Sequence, residues 1–215
     1  MVQKRDDDKP PKEIAALKRD TKSRKQLEKE IIQFLSEAST KQGTSKRPEE
    51  AVLKHGLGCV LATAKDNIPR ATPVDFFNDG LTLWVAGEPG VKIRNLQSNP
   101  QIAVGIYQPM NPLKLNRSLQ IQGKATLINL RQHRRTFMKC VKKLGLLTGV
   151  ERIVGRNIQS GRVPREREKE WVEKLLNRFN LIRIDPEEIT YLYIHPNKGA
   201  EKNTWRKYIR SGKHR

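Results

Sequence analysis

The residues best placed for chemistry follow a glycine turn. In residues 83–100 an apolar strand (81–86) runs into Gly87, Pro89 and Gly90. A helical segment then carries Val91, Lys92, Ile93, Arg94, Asn95 and Leu96, and Ser98-Asn99-Pro100 closes it. A turn that opens a helix leaves several backbone N–H groups unpaired and pointing one way, and the helix dipole adds positive potential at the same place. The chemistry this implies is anion binding. Cations in a first turn oppose the dipole, so Lys92 and Arg94 make sense if an anion such as a phosphate sits there. This stretch alone leaves open that both are solvated surface residues.

No other spacing announces catalysis. His55, His133, His195 and His214 are isolated, and none has metal-ligand spacing to another, so solvated or capping roles are expected. Cys59 and Cys140 form no CxxC and read as reduced structural thiols of a cytoplasmic protein. Asp75 and Glu88 are not an evident carboxylate pair, and Asp75 reads as satisfying a strand end or turn. Neither GxGxxG nor GxxxxGK occurs, which argues against nucleotide binding by a Rossmann or P-loop unit.

The elements that must position the turn follow from periodicity. Residues 1–22 mix charges around Pro10-Pro11 and read as disordered or loosely helical. Ser23-Arg24-Lys25-Gln26 fits a capping box, and Leu27, Ile31, Phe34 and Leu35 make one apolar stripe of a helix. Pro48 is expected to open a short helix that Gly56 stops. From there the period changes to that of strands. Residues 57–64 are a nearly continuous apolar run, Lys65-Asp66-Asn67 a hairpin turn, and 70–77 the return strand. Asn78-Asp79-Gly80 is a second turn into 81–86. Residues 101–107 read as a further buried strand, and 108–116 as a loop. Residues 117–128 form a long strand that Gly123 bends.

A helix over 130–144 is predicted with Leu130, Phe137, Val141 and Leu144 inward. Four glycines (145, 149, 155, 161) punctuate the next segment. A helix follows Pro164 with Trp171, Val172, Leu175, Leu176 and Phe179 on its buried face. Two last strands, 181–184 and 189–194, are expected across a turn at Pro186. The domain organisation is thus a basic N-terminal extension (1–47), a barrel domain (48–195) holding a helical insert (130–179), and a basic, irregular tail (196–215). Six or seven strands in hairpin order with flanking helices predict a mainly β (α+β) fold, a small antiparallel split β-barrel.

The succession of an ATA-ending strand, an RATPV strand, an NDG turn, an LWVA strand, a GxK turn with an RNL helix, NP, and then RSLQIQGKATLI resembles the pyridoxamine 5'-phosphate oxidase-like family of flavin-binding proteins. The resemblance covers about residues 48–130 and, more loosely, 180–195. It implies a homodimer with two FMN sites at the subunit interface. By the resemblance, Arg70, Ala71, Thr72, Pro73, Val74 and Asp75 line the isoalloxazine and reach the phosphate. Val85 and Ala86 touch the flavin from the next strand, Lys92 meets the phosphate, and Ser118 supplies a polar contact. Two departures stand out. Val91 occupies a position that is often basic in the oxidase, leaving Arg94 as a substitute, and the Trp and Arg elements that close the vitamin site have no clean match, Trp205-Arg206 resembling them only loosely. An FMN-dependent oxidoreductase acting on a small molecule other than the vitamin is therefore expected. Alternatives on the same fold are a non-catalytic flavin carrier, a deazaflavin protein using Arg152, Arg156 and Arg162, or a haem protein using His195 or His214.

Charge bounds the partners. The net charge is +20, of which residues 131–215 hold +13, while residues 56–130 hold only +3. Such an excess favours acidic partners or nucleic acid, yet the last third lacks the interleaved aromatics of base-stacking readers. Nucleic-acid binding thus stands as an alternative of another class. No apolar run approaches the roughly 20 residues that span a bilayer, and the charged N-terminus has no signal-like segment, so no membrane partner is expected.

Overall fold

The computed structural model of the chain describes residues 17–42, 53–54, 56–111 and 113–208. In chain order its elements are β1 (Lys18–Arg19), α1 (Arg24–Ala38), β2 (Lys41–Gln42), β3 (Leu53–Lys54), β4 (Cys59–Lys65), β5 (Ile68–Val74), β6 (Phe77–Asp79), β7 (Thr82–Gly87), α2 (Val91–Ser98), β8 (Gln101–Tyr107), β9 (Asn116–Ile128), α3 (Leu130–Lys143), α4 (Leu146–Gln159), α5 (Glu168–Leu176), β10 (Asn180–His195) and β11 (Gly199–Arg206).

Nine strands form one mixed, unclosed sheet in the order β1-β11-β10-β9-β8-β4-β5. Strand β10 organises it. One edge pairs with β9 over nearly its whole length. The other edge is divided, Asn180 to Ile184 taking β7 and Glu188 to His195 taking β11. That division splits the barrel. The predicted α+β split barrel is present, with more strands than the six or seven anticipated. β4 turns into β5 through Asp66 and Asn67, whose φ values of 52° and 60° are the left-handed pair a two-residue hairpin needs.

Helix α1 begins as its sequence demands. Ser23 and Gln26 make the reciprocal capping box, and Leu27, Ile31, Phe34 and Leu35 are buried. They join the barrel core with Leu61, Leu83, Val85, Ile121 and Ile182. A second apolar cluster lies under the insert, where Phe137, Val141, Val150 and Leu176 close over Leu181.

Several expectations are corrected. Residues 18–19 are strand and pair in parallel with β11. Residues 53–54, assigned to a short helix, pair with β2; residues 48–52 and 55 of that proposed helix lie outside the described residues, as do residues 1–16 and 43–47. The return strand runs Ile68–Val74 and stops short of 77, because Phe76 turns wholly into the core and its carbonyl accepts a hydrogen bond from Thr40. The glycine-punctuated segment is a helix, α4, whose Val150 and Val154 are buried four residues apart, while Gly149 and Gly155 face open space. On α5 only Leu176 is fully buried. The two last strands are one. Pro186 sits opposite Gly123 and the strand continues through a bulge between Pro186 and Glu188. Gly123 is required there, since a Cβ would stand 2.4 Å from the Asp185 carbonyl oxygen. The irregular tail is in part β11, held by buried Asn203 and Trp205. Among the described residues, no helix is long and apolar enough to cross a membrane.

Candidate functional site

Register divides the candidate residues between two faces of the sheet. Opposed residues on neighbouring strands share a face. Ala71 on β5 stands opposite Ala62, which stands opposite Ala103, which stands opposite Gln122. The next row runs Pro73, Val60, Gly105, Gln120. The row after it pairs Tyr107 with Ser118. Ala71, Pro73 and Ser118 therefore lie together on the outer face of β5-β4-β8-β9. These rows carry small or uncharged side chains, and Tyr107 is 66% exposed among them. At one end the face deepens into a cleft of about 570 Å3 bordered by Gly58, Val60, Pro73, Asp75, Gly105 and Tyr107.

Arg70, Thr72 and Val74 alternate onto the opposite face, where α2 packs. Asn95 of α2 is buried and its Nδ2 donates to Thr63 Oγ1 at 3.2 Å; Asn99 Nδ2 donates to the Ala64 carbonyl at 3.3 Å. These bonds fix α2 against β4. Arg70, the residue paired with Thr63, shares a cavity of about 270 Å3 with Val91 and Asn95. The Thr72 hydroxyl is buried and has no hydrogen-bond partner among the described residues.

The N-terminus of α2 has the features of an anion cradle. Its N-cap is Gly90, which offers no side-chain cap, and no acidic residue stands in the first turn. The half-buried Lys92 folds back over the end of β7: a Cβ on Gly87 would lie 3.2 Å from Lys92 Cε, 3.1 Å from Ile182 Cδ1 and 3.3 Å from Ile93 Cδ1. Glycine at 87 is thus what lets the lysine stem lie flat there. Arg70 lines the cavity beside Val91 and Asn95, while the Lys92 stem lies against Gly87. Arg94 is exposed on α2.

Val85 and Ala86 point in opposite directions, as neighbours on a strand must. Val85 is wholly buried in the core with Leu83 and Ile93, so its side chain is not available to a ligand on the surface. Its backbone is a different matter: β6 pairing ends at Phe77 and Trp84, leaving one edge of residues 85–87 without a strand partner among the described residues. Ala86 is exposed.

Cys59 borders the cleft, but burial, assisted by the negative charge of Asp75, pushes its thiol up to about 12, so it is no nucleophile near neutral pH. Among the described residues no group of His, Cys, Asp and Glu could hold a metal. His195 is half-buried, its Nδ1 accepting from the Asn197 N–H, while His55 and His214 lie outside the described residues. Sequence reasoning overlooked Tyr107, Gln120 and Gln122. The period-2 alternation around Ser118 carried the signal for the two glutamines, but Tyr107 joins them only through the β8–β9 register.

A profile of the family described as pyridoxamine 5'-phosphate oxidase matches residues 49–193. No curated protein matches the chain. Among solved structures, General Stress Protein 26 of Bacillus anthracis is 17% identical over 76% of this chain and 92% of that one, with a TM-score of 0.43. A pyridoxamine 5'-phosphate oxidase-related, FMN-binding protein of Nostoc punctiforme is 17% identical over 71% and 88%, at 0.44. The protein Rv2991 of Mycobacterium tuberculosis is 15% identical over 95% and 98%, at 0.46. With a profile that spans more than half of its length, from before β4 to near the end of β10, the chain belongs to the pyridoxamine 5'-phosphate oxidase family.

Proposed function

We propose that the protein binds FMN between two copies of itself and serves as a flavin-dependent oxidoreductase on a small molecule. The observation that carries this reading is the uncapped α2 N-terminus with Lys92 laid over Gly87, inside a chain of this family. A phosphate there meets free backbone donors, the positive end of the helix and a lysine, three features that favour an anion together. Arg70 adds positive charge in the cavity it shares with Val91 and Asn95 of α2. The buried Thr72 hydroxyl that lacks a partner is satisfied by a ligand that accepts or donates at β5.

The outer face fits the remainder of the cofactor. Ala71, Pro73, Ala62 and Gly105 leave room for a flat ring, and Ser118, Gln120 and Gln122 offer donors and acceptors along its edge. Bound FMN supplies the hydride or electron transfer, while the chain's residues supply placement, charge and exclusion of water. This division of labour suits a site without an acid–base pair. Substrate specificity falls to the cleft beside Asp75 and Tyr107.

The test is direct. Natively purified protein is expected to be yellow and to release FMN identifiable by mass spectrometry, and FMN titration of stripped protein should quench flavin fluorescence. Competition with a deazaflavin and with haem belongs in the same titration. A colourless protein that leaves flavin absorbance and fluorescence unaltered overturns the reading.

A further inference from the structure

We propose that helix α3 presents a binding surface for the phosphate backbone of duplex nucleic acid, independent of the flavin site. The insert, residues 130–179, holds fourteen Lys and Arg against five acidic residues. Helix α3 itself contains six basic residues and no acidic one. Two of the six have partners elsewhere: Arg134 bonds Glu173 and Lys143 bonds Asp79, both at 2.6 Å. Arg135, Lys139 and Lys142 have no ion pair among the described residues, and all three are exposed. Their spacing of four and three residues sets them in one row about 10 Å long on one side of the helix. Arg131 is also exposed but precedes the kink at His133, whose φ of −131° and ψ of 37° break the helical path, so it is not counted in the row.

Like charges at this spacing weaken a helix. They persist here on a helix whose opposite face is locked into the core by the fully buried Phe137 and Val141. That locked face also decides between partners. A helix binding an anionic bilayer needs a free apolar face, and α3 has none. A protein partner would be met by exposed apolar or aromatic residues within the patch, and no large exposed hydrophobic residue lies on α3. Base stacking is excluded from the row as well: Phe137 packs against Phe179 with ring centroids 5.5 Å apart, and Trp171 lies under Lys174. What remains is a rigid row of cations without readers of bases, and the polymer that matches it is a regular row of phosphates recognised without sequence preference.

Fluorescence anisotropy with 20-base-pair DNA and RNA duplexes of random sequence, across 50 to 200 mM salt, tests the proposal. Three phosphate contacts give a slope of log affinity against log salt of about −2.7, or roughly a 40-fold loss over that range. Binding of either duplex with a slope at least that steep supports it. The triple variant Arg135→Gln, Lys139→Gln, Lys142→Gln, matched to the wild type in melting temperature and FMN affinity, should flatten the slope by about 2.7. Absence of binding at 50 mM salt overturns the proposal. So does a variant whose slope equals that of the wild type, or tighter binding to poly-glutamate or to phosphatidylserine vesicles than to either duplex. Because FMN affinity is read separately, failure here leaves the flavin reading untouched, and failure of that reading leaves this one standing.

Discussion

At the scale of single residues, Lys92 and Cys59 show how position decides chemistry. Lys92 stands where a free ammonium is least welcome to the helix, yet its stem is anchored over Gly87. Lys92→Ala should weaken FMN binding by about 1.5–3 kcal/mol, the range for a charge-assisted hydrogen bond, with little change in melting temperature because the side chain is only half-buried. Fluorescence titration measures this, and an affinity equal to that of the wild type would remove the residue from the site. Cys59 is the opposite case. Burial raises its thiol to about 12, and burial also raises that of the half-buried Cys140, against the pull of Lys139 and Lys143. Titration with a thiol reagent at pH 8 should therefore find Cys140 reacting slowly and Cys59 silent until the protein unfolds, when two thiols appear. Rapid modification of Cys59 in the folded protein would contradict its place in the core.

At the scale of elements, a polar contact near its C-terminal end ties α1 to β9. Arg117 of β9 bonds Glu37 at 2.6 Å and lies over the Phe34 ring at 4.5 Å. Hydrogen bonds from Arg117 and then from Gln33 hold the Glu37 carboxyl below its ordinary 4.5. A carboxylate depressed in the folded state adds stability above its unfolded value and loses it as pH falls through the folded one. Amide-exchange protection of α1 should thus decline as pH drops below about 4.5, while Arg117→Ala lowers it already at pH 7. The pair is partly exposed, so its worth is on the order of 0.5–1 kcal/mol; protection that is flat across this range would show that packing alone holds the helix. The same elements mark what was legible in the chain. The α1 cap, the β4–β5 turn and the glycine turn into α2 are local, written in neighbouring residues, and the structure has them. Features that depend on distant partners were not readable. β10 passes Pro186 only because Gly123 lies across from it. β11 has so few apolar residues that nothing short of its pairing with β10 marks it as strand. α4 survives its glycines because Val150 and Val154 have a core to enter. The candidate site was legible in part for the same reason: Lys92 belongs to a local motif, whereas the separation of Ala71, Pro73 and Ser118 from Arg70 and Thr72, and the burial of Val85, are consequences of register.

At the scale of the whole molecule, the outer face of β5-β4-β8-β9 is unfinished. Tyr107 is 66% exposed, and beyond it Met110 is 73% and Leu113 86% exposed. Exposed hydrophobics beside rows of Ala, Gly and Gln that carry no charge suit an interface better than a solvated surface. The strongly basic insert cannot cover it, since α3 and α5 pack over the second cluster with Leu181. A second copy of the same face meets the requirement, because a two-fold interface must be complementary to itself, and rows of Ala, Gly and Gln place no like charges opposite one another. Light scattering should accordingly find two chains per particle, with an interface in the range of about 1,200–2,000 Å2 that stable pairs require. Tyr107→Asp with Leu113→Asp sets four carboxylates into such an interface and should give a monomer. FMN affinity should fall with it by at least tenfold, although Lys92 and Gly87 are untouched, if the ring rests between the two faces. A wild-type monomer at micromolar concentration would rule out the shared site. A monomeric variant that keeps full FMN affinity would place the whole cofactor on one chain, with α2 and the outer face of β5 sufficient to hold it.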